Sequence, residues 1–158
     1  MAGLWVIDTN VAVVANGKHP EASPQCVREC VRRLEGIHHD GRVAIDDAWR
    51  ILREYRQNLS ESGQPGVGDR FLKWLLQNNA NPERCVKVAL TVIDENAQEY
   101  GEFPDSAGLA GFDPSDRKFV AVANAHLNKP PILQAVDSKW KLFNPAFLEA
   151  GISVDFLC

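Results

Sequence analysis

The chain has no apolar run approaching the roughly 20 residues that a membrane-spanning helix needs. Residues 1–10 have neither the basic start nor the long apolar stretch of a secretory leader. A cytoplasmic location without membrane contact is therefore expected. A basic excess is also missing: 17 Lys and Arg stand against 21 Asp and Glu, a net charge of -4. A module that only coats nucleic acid usually carries such an excess, so that class is disfavoured. An enzyme whose acids are offset locally by a cation is not. Cysteine is scarce, with four residues and no C-x-x-C pair. Cys26 and Cys30 share a helix face and His38 and His39 follow, but the spacing fits no common zinc pattern. Free thiols in a reducing compartment are the expectation for all four. No repeat, low-complexity tract or long linker divides the 158 residues, so one domain with one core is expected over 1–158.

What the chain does contain is an alternation of strands and helices. Gly3 to Ile7 is a short apolar run ending in Asp8 and reads as a buried strand. Thr9 or Asn10 caps a short helix over Val11 to Ala15. Ser23 and Pro24 open a helix to about Ile37, and Arg42 to Ile45 form a second strand. Asp46 or Asp47 caps a helix to Leu59 whose apolar stripe is Ala48, Ile51, Leu52, Tyr55 and Leu59, with Glu54 at its margin. Ser60 to Gly68 is a glycine-bearing loop, and Asp69 opens the next helix. Val86 to Thr91 reads as a strand, and Asp94 to Gly111 as irregular chain with one helical turn. Asp113 caps a helix to about Leu127, with Phe119, Val120, Ala123 and Leu127 in line with Asp116. Pro131 to Val136 is a strand ending in Asp137, Asn144-Pro145 begins a last short helix, and Ile152 to Leu157 is the final strand. Such alternation predicts an α/β fold with a mainly parallel sheet, whose ligand site lies outside the carboxyl ends of the strands.

Asp8 and Asp137 each follow an apolar strand, Asp116 lies in the first turn of a helix on its sheet-facing side, and Glu54 borders another apolar stripe. Four acids from distant segments are thus expected to converge at one end of the sheet. Clustered carboxylates repel one another, and a divalent cation relieves the repulsion; oxygen-only ligands select hard ions such as Mg²⁺ or Mn²⁺. Each acid also has a bland reading. Asp8 caps a short helix, Asp116 belongs to a capping arrangement with Asp113, Asp137 starts a turn, and Glu54 pairs with Arg50 or Asn58 on a solvated face.

Ile7-Asp8-Thr9-Asn10 after the first strand, Arg53-Glu54-Tyr55 on a helix, Asp113-Pro114-Ser115-Asp116-Arg117-Lys118-Phe119, and Asp137 after an apolar strand together resemble a PIN domain, over Gly3 to Leu157. The resemblance implies a three-layer α/β/α fold, an acidic Mg²⁺ or Mn²⁺ site and endonucleolytic cleavage of single-stranded RNA. Many members are the toxin half of bacterial toxin–antitoxin pairs. It implies that Asp8 and Asp116 ligate the metal, that Glu54 does so directly or through water, and that Asp137 is the fourth acid. Asn10 hydrogen-bonds Asp8 or the scissile phosphate, with Asp113 and Arg117 close by. The expected partners are single-stranded RNA, an antitoxin protein and a second copy of the chain. One departure is that Ser138, Lys139 and Trp140 follow Asp137 where many members carry another acid, which weighs against a second metal.

Other motifs are weaker. The glycines at 63, 66 and 68 lack the Lys and Ser or Thr of a phosphate-binding loop. Asn10 stands where phosphatases with a nucleophilic Asp need a second Asp. Trp49, Trp74 and Trp140 are candidates for base stacking or for packing, and Arg50, Arg53 and Arg56 for phosphate contacts or a solvated face. The competing functions are a PIN-like binding module without catalysis and a phosphotransfer domain that places Lys139 beside Asp8.

Overall fold

The apolar run at the start forms β1 (Leu4–Ile7), the middle strand of a five-stranded sheet. The computed structural model describes residues 3–62 and 64–158, so Gly63 of the glycine-bearing loop lies outside the described residues. The other strands are β2 (Arg42–Asp46), β3 (Cys85–Val88), β6 (Ile132–Gln134) and β7 (Val154–Phe156), in the order β3-β2-β1-β6-β7 and all parallel. Helices α1 (Thr9–Ala15), α2 (Pro24–Asp40), α3 (Arg50–Asn58), α4 (Val67–Asn78), α5 (Arg117–Ala125), α6 (Lys139–Leu142) and α7 (Asn144–Glu149) flank the sheet in an α/β/α arrangement. The chain builds from β1 through β2 to β3, then returns to the other side of β1 for β6 and β7. The order therefore reverses between β1 and β6, and a crevice opens beyond their carboxyl ends at such a reversal. Among the described residues no helix is long and apolar enough to cross a membrane.

Local chemistry explains most boundaries. Ser23 caps α2 by accepting from the Cys26 amide at 3.1 Å, with Pro24 in the first turn. α3 begins at Arg50, later than expected, because Trp49 takes a left-handed conformation with φ 66°. Asp46 still caps it from the end of β2, accepting from the Arg50 and Ile51 amides at 3.0 and 2.9 Å. α4 begins at Val67, two residues before the expected Asp69, whose carboxylate reaches back to the Gly66 amide at 3.1 Å. α1 and α4 approach so closely that a Cβ on Gly68 would fall on the carbonyl oxygen of Ala12.

Several expectations need correction. The stretch read as irregular holds an antiparallel hairpin, β4 (Val92–Asp94) with β5 (Glu99–Tyr100), as well as the expected helical turn at Ala107–Leu109. Its strands are too short, and β4 too exposed, to show an alternating pattern. Pro114–Asp116 is a 3-10 turn, and α5 proper ends at Ala125. Leu127 is therefore 94% exposed instead of facing the sheet. β6 stops at Gln134, and Asp137 lies beyond it at the start of α6, a helix the sequence reading did not place. The expectation of four free thiols also fails. Cys26 and Cys158 are disulfide-bonded, while Cys30 and Cys85 are free and buried. Burial pushes the Cys30 thiol up to about 12 and the Cys85 thiol up to about 11.

Candidate active site

Asp8 leaves the carboxyl end of β1 and caps α1, accepting from the Asn10 amide at 3.3 Å. It is 5% exposed. Burial, first, and then the charges of Asp116 and Glu54 push its carboxyl well above the usual range; Asp137 adds to the rise and the Asn10 amide opposes it. Asp116, in the turn before α5, is pushed up to about 6. Burial is again the main cause, Asp113 the next, and Asp137 and Glu54 contribute. The Trp140 indole opposes this rise by donating to Asp116 Oδ2 at 3.2 Å. Charges from three other segments thus reach Asp8, near the point where the sheet order reverses.

Glu54, on α3, is held on two sides. Thr9 Oγ1 donates to its Oε2, and Lys118 Nζ donates to its Oε1 at 2.7 Å. Lys118, buried on α5, also donates to the Ser115 carbonyl. This contact runs from the first turn of α5 back to the 3-10 turn that precedes it. Tyr55 closes the floor: its hydroxyl donates to the Ile7 carbonyl at 2.5 Å. Burial, then the charges of Asp8 and Glu54, push that phenol well above its usual value. Glu54 and Lys118 open onto a cleft of about 490 Å³ that Arg50, Arg53, Gln57 and Asn96 also line.

The remaining expected residues are arranged differently. Asp137 is half-buried and accepts from the Lys139 amide at 3.1 Å, so it starts a helical turn, and its charge contributes to the rise at Asp8 and Asp116. Asn10 meets Asp8 only through its backbone. Its side chain donates to Gln134 and accepts from the Ala135 amide at 3.2 Å, which ties α1 to the end of β6. Asp113 caps the turn through Ser115, at 3.0 Å to the amide. Arg117 points away, donating to the Ala97 carbonyl at 3.0 Å and lying over the Phe103 ring. Trp140 is 1% exposed and Trp74 is buried, so neither offers a stacking face; Trp49 is exposed beside Lys87. The arginine row is engaged: Arg50 pairs with Asp46 and Glu95, Arg53 bonds the Ala48 and Trp49 carbonyls, and Arg56 pairs with Glu61. Lys118 and Gln134 are not among the residues expected at the site, and Thr9 and Trp140 are expected only as a helix cap and as a stacking or packing ring, although Thr9 and Lys118 stand inside the motifs that mark the acids.

The donor set fits a hard divalent ion in part. Asp8 and Asp116 offer oxygen donors that burial makes costly to ionise without a neighbouring cation. Glu54 already has a cation in Lys118. Among the described residues, the three His, Cys, Asp or Glu ligand atoms found within 4.8 Å of one another belong to cysteines and not to these acids. Compared with family models, with curated proteins and with solved structures, the chain gives no match.

Proposed function

We propose that the chain is a metal-dependent ribonuclease that hydrolyses phosphodiester bonds in single-stranded RNA. The observation that carries this reading is that Asp8, buried at the carboxyl end of β1 beside the reversal point of a parallel sheet, lies within reach of the charges of Asp116, Glu54 and Asp137. Asp8 and Asp116 would hold Mg²⁺ or Mn²⁺, with Asp137 at the rim. When bound, such an ion lowers the pKa of water and offsets charge on a phosphate. Thr9 and Lys118 fix the Glu54 carboxylate, which orients the attacking water. Tyr55 and Trp140 keep the floor dry, and Arg50 and Arg53 border the cleft through which a phosphate chain would approach. No Ser, Cys or His is placed by these contacts as a nucleophile beside a base, so water is the nucleophile and no covalent intermediate forms. The resemblance to PIN domains supports the same reading. It extends it to a cytoplasmic, homodimeric toxin held by an antitoxin protein.

A second reading draws on the Lys118–Glu54 pair. A lysine that already neutralises one acid suits a PIN-like module that binds RNA or protein without cutting it. Calorimetric titration with Mn²⁺ separates the two. The nuclease binds the ion and loses at least about tenfold in affinity in Asp8→Asn, one ligand being worth more than about 1.4 kcal/mol. A wild-type protein that takes up no Mn²⁺ leaves the binding module.

A further inference from the structure

The sulfurs of Cys26, Cys30 and Cys158 lie within 4.8 Å of one another. Cys26 and Cys30 stand one helical turn apart on α2, and Cys158 follows β7. His38, near the two helix cysteines in sequence, stacks on Trp74, and the fold brings Cys158 to them. We propose that these three cysteines form a redox-gated site for a thiophilic d¹⁰ cation, Zn²⁺ or Cu⁺: closed as the Cys26–Cys158 disulfide, and metal-binding when that bond is reduced.

Three thiolates at about 2.3 Å from one ion stand about 4 Å apart, so the observed cluster needs only side-chain rotation after the bond opens. The disulfide is not the only thing holding the group together. The Leu157 amide donates to the Gln134 carbonyl at 2.8 Å, and Lys141 Nζ donates to the Cys158 carbonyl at 3.3 Å. Both contacts tie the chain around Cys158 to β6 and α6 independently of the disulfide. Sulfur-only ligation selects soft ions over the Mg²⁺ or Mn²⁺ expected at the acids. Cys26 and Cys158 border a separate cleft of about 440 Å³, lined also by Ser23, Glu29 and Arg33 and by none of the four acids, with Cys30 buried behind them. The open side and the exposed Cys158 leave a fourth position to water for Zn²⁺, whereas Cu⁺ is satisfied by three sulfurs.

Opening the site is a thiol–disulfide exchange. A dithiol reductant attacks one sulfur of the Cys26–Cys158 bond, which breaks; its second thiol then closes its own disulfide. The electron pair and two protons remain on Cys26 and Cys158 as thiols. Entry of the cation displaces the thiol protons to solvent, forming the three sulfur–metal bonds.

The test uses the full chain, reduced anaerobically with a phosphine or left oxidised, and titrated separately with Cd²⁺ as a Zn²⁺ surrogate and with Cu⁺. The readout is ultraviolet sulfur-to-metal charge transfer, to which carboxylates are silent, with native mass spectrometry for stoichiometry. One equivalent per reduced chain is expected, with no charge-transfer band in the oxidised chain. Binding should be unchanged in Cys85→Ser. Loss of an outer partner already costs 10–100-fold in metal affinity, so loss of a ligand in Cys26→Ser, Cys30→Ser or Cys158→Ser costs about 100-fold or more. Cys158→Ser, at an exposed position, decides the matter if Cys30→Ser fails to fold. No band in the reduced wild type, an equal band in the oxidised chain, or a band of wild-type strength in Cys158→Ser overturns the proposal. A response to one cation alone identifies it.

Discussion

Lys118 Nζ lies 2.7 Å from Glu54 Oε1, and this pair ties the start of α5 to α3 at the cleft that Arg50 and Arg53 also line. The lysine is nearly buried and the glutamate about a quarter exposed, their side chains retaining 7% and 24% exposure. Removing one partner of a fully buried pair costs about 3–5 kcal/mol, and partial exposure of Glu54 lowers that. Lys118→Met is expected to destabilise the metal-free protein by about 2 kcal/mol. Urea unfolding measures this, and a midpoint equal to wild type would show that the pair contributes nothing.

The acids make a pH-dependent contribution of the opposite kind. Asp116 titrates at about 6, and Asp8 is also raised. Both folded pKa values lie above the unfolded ones, so the native state binds more protons across that interval. The stability contribution of these groups therefore falls as pH rises from about 4 towards 6. In thermal melts without metal, Asp116→Asn should gain on wild type as pH rises through this window. A difference that stays constant with pH would contradict the shift.

Asp69 supplies the contrast. Burial pushes its carboxyl up, but donation from the Ser60 amide, the Gly66 amide and Asn16 outweighs burial and holds it below the usual value. Its stabilisation is present above the unfolded pKa and is lost as pH falls through the folded one. Asp69→Ala should cost about 2 kcal/mol near neutrality, at the upper end for a helix cap, and less in acid. Chemical denaturation at both pH values checks the sign.

The four cysteines give a further check on burial. Neither Cys30 nor Cys85 carries an accessible thiolate, since burial raises both. Native protein, left oxidised, should resist alkylation, and both thiols should react once the chain is unfolded. Rapid labelling of the native form would show that the cysteines are not packed as described.

Features written in contiguous residues were legible in the sequence. β1 and β6 are apolar runs, Ser23 and Asp113 cap as their side chains dictate, and the parallel sheet follows from the alternation of elements. Asp8 was found because it directly follows such a run. What escaped depended on distance or on small changes of helical pitch. Cys26 and Cys158 are 132 residues apart, and no spacing announces their contact. Lys118 meets Glu54 across 64 residues of sequence, and the 3-10 turn at Pro114–Asp116 leaves no mark in the spacing of apolar residues. The Trp140 indole reaches Asp116 from α6, an element of four residues too short to show periodicity.

The reaction itself bears most directly on the central claim. Single-stranded RNA is incubated with wild type and Asp8→Asn, in Mn²⁺ and then in excess EDTA, and the new ends are mapped. Cleavage with Mn²⁺ is expected to leave 5′-phosphate and 3′-hydroxyl ends and to stop in EDTA. Activity should fall about 100-fold or more in Asp8→Asn, as expected when a ligand of a charge-stabilising ion is lost. Cleavage that persists in EDTA, 2′,3′-cyclic phosphate ends, or an intact substrate with wild type and Mn²⁺ would contradict that claim.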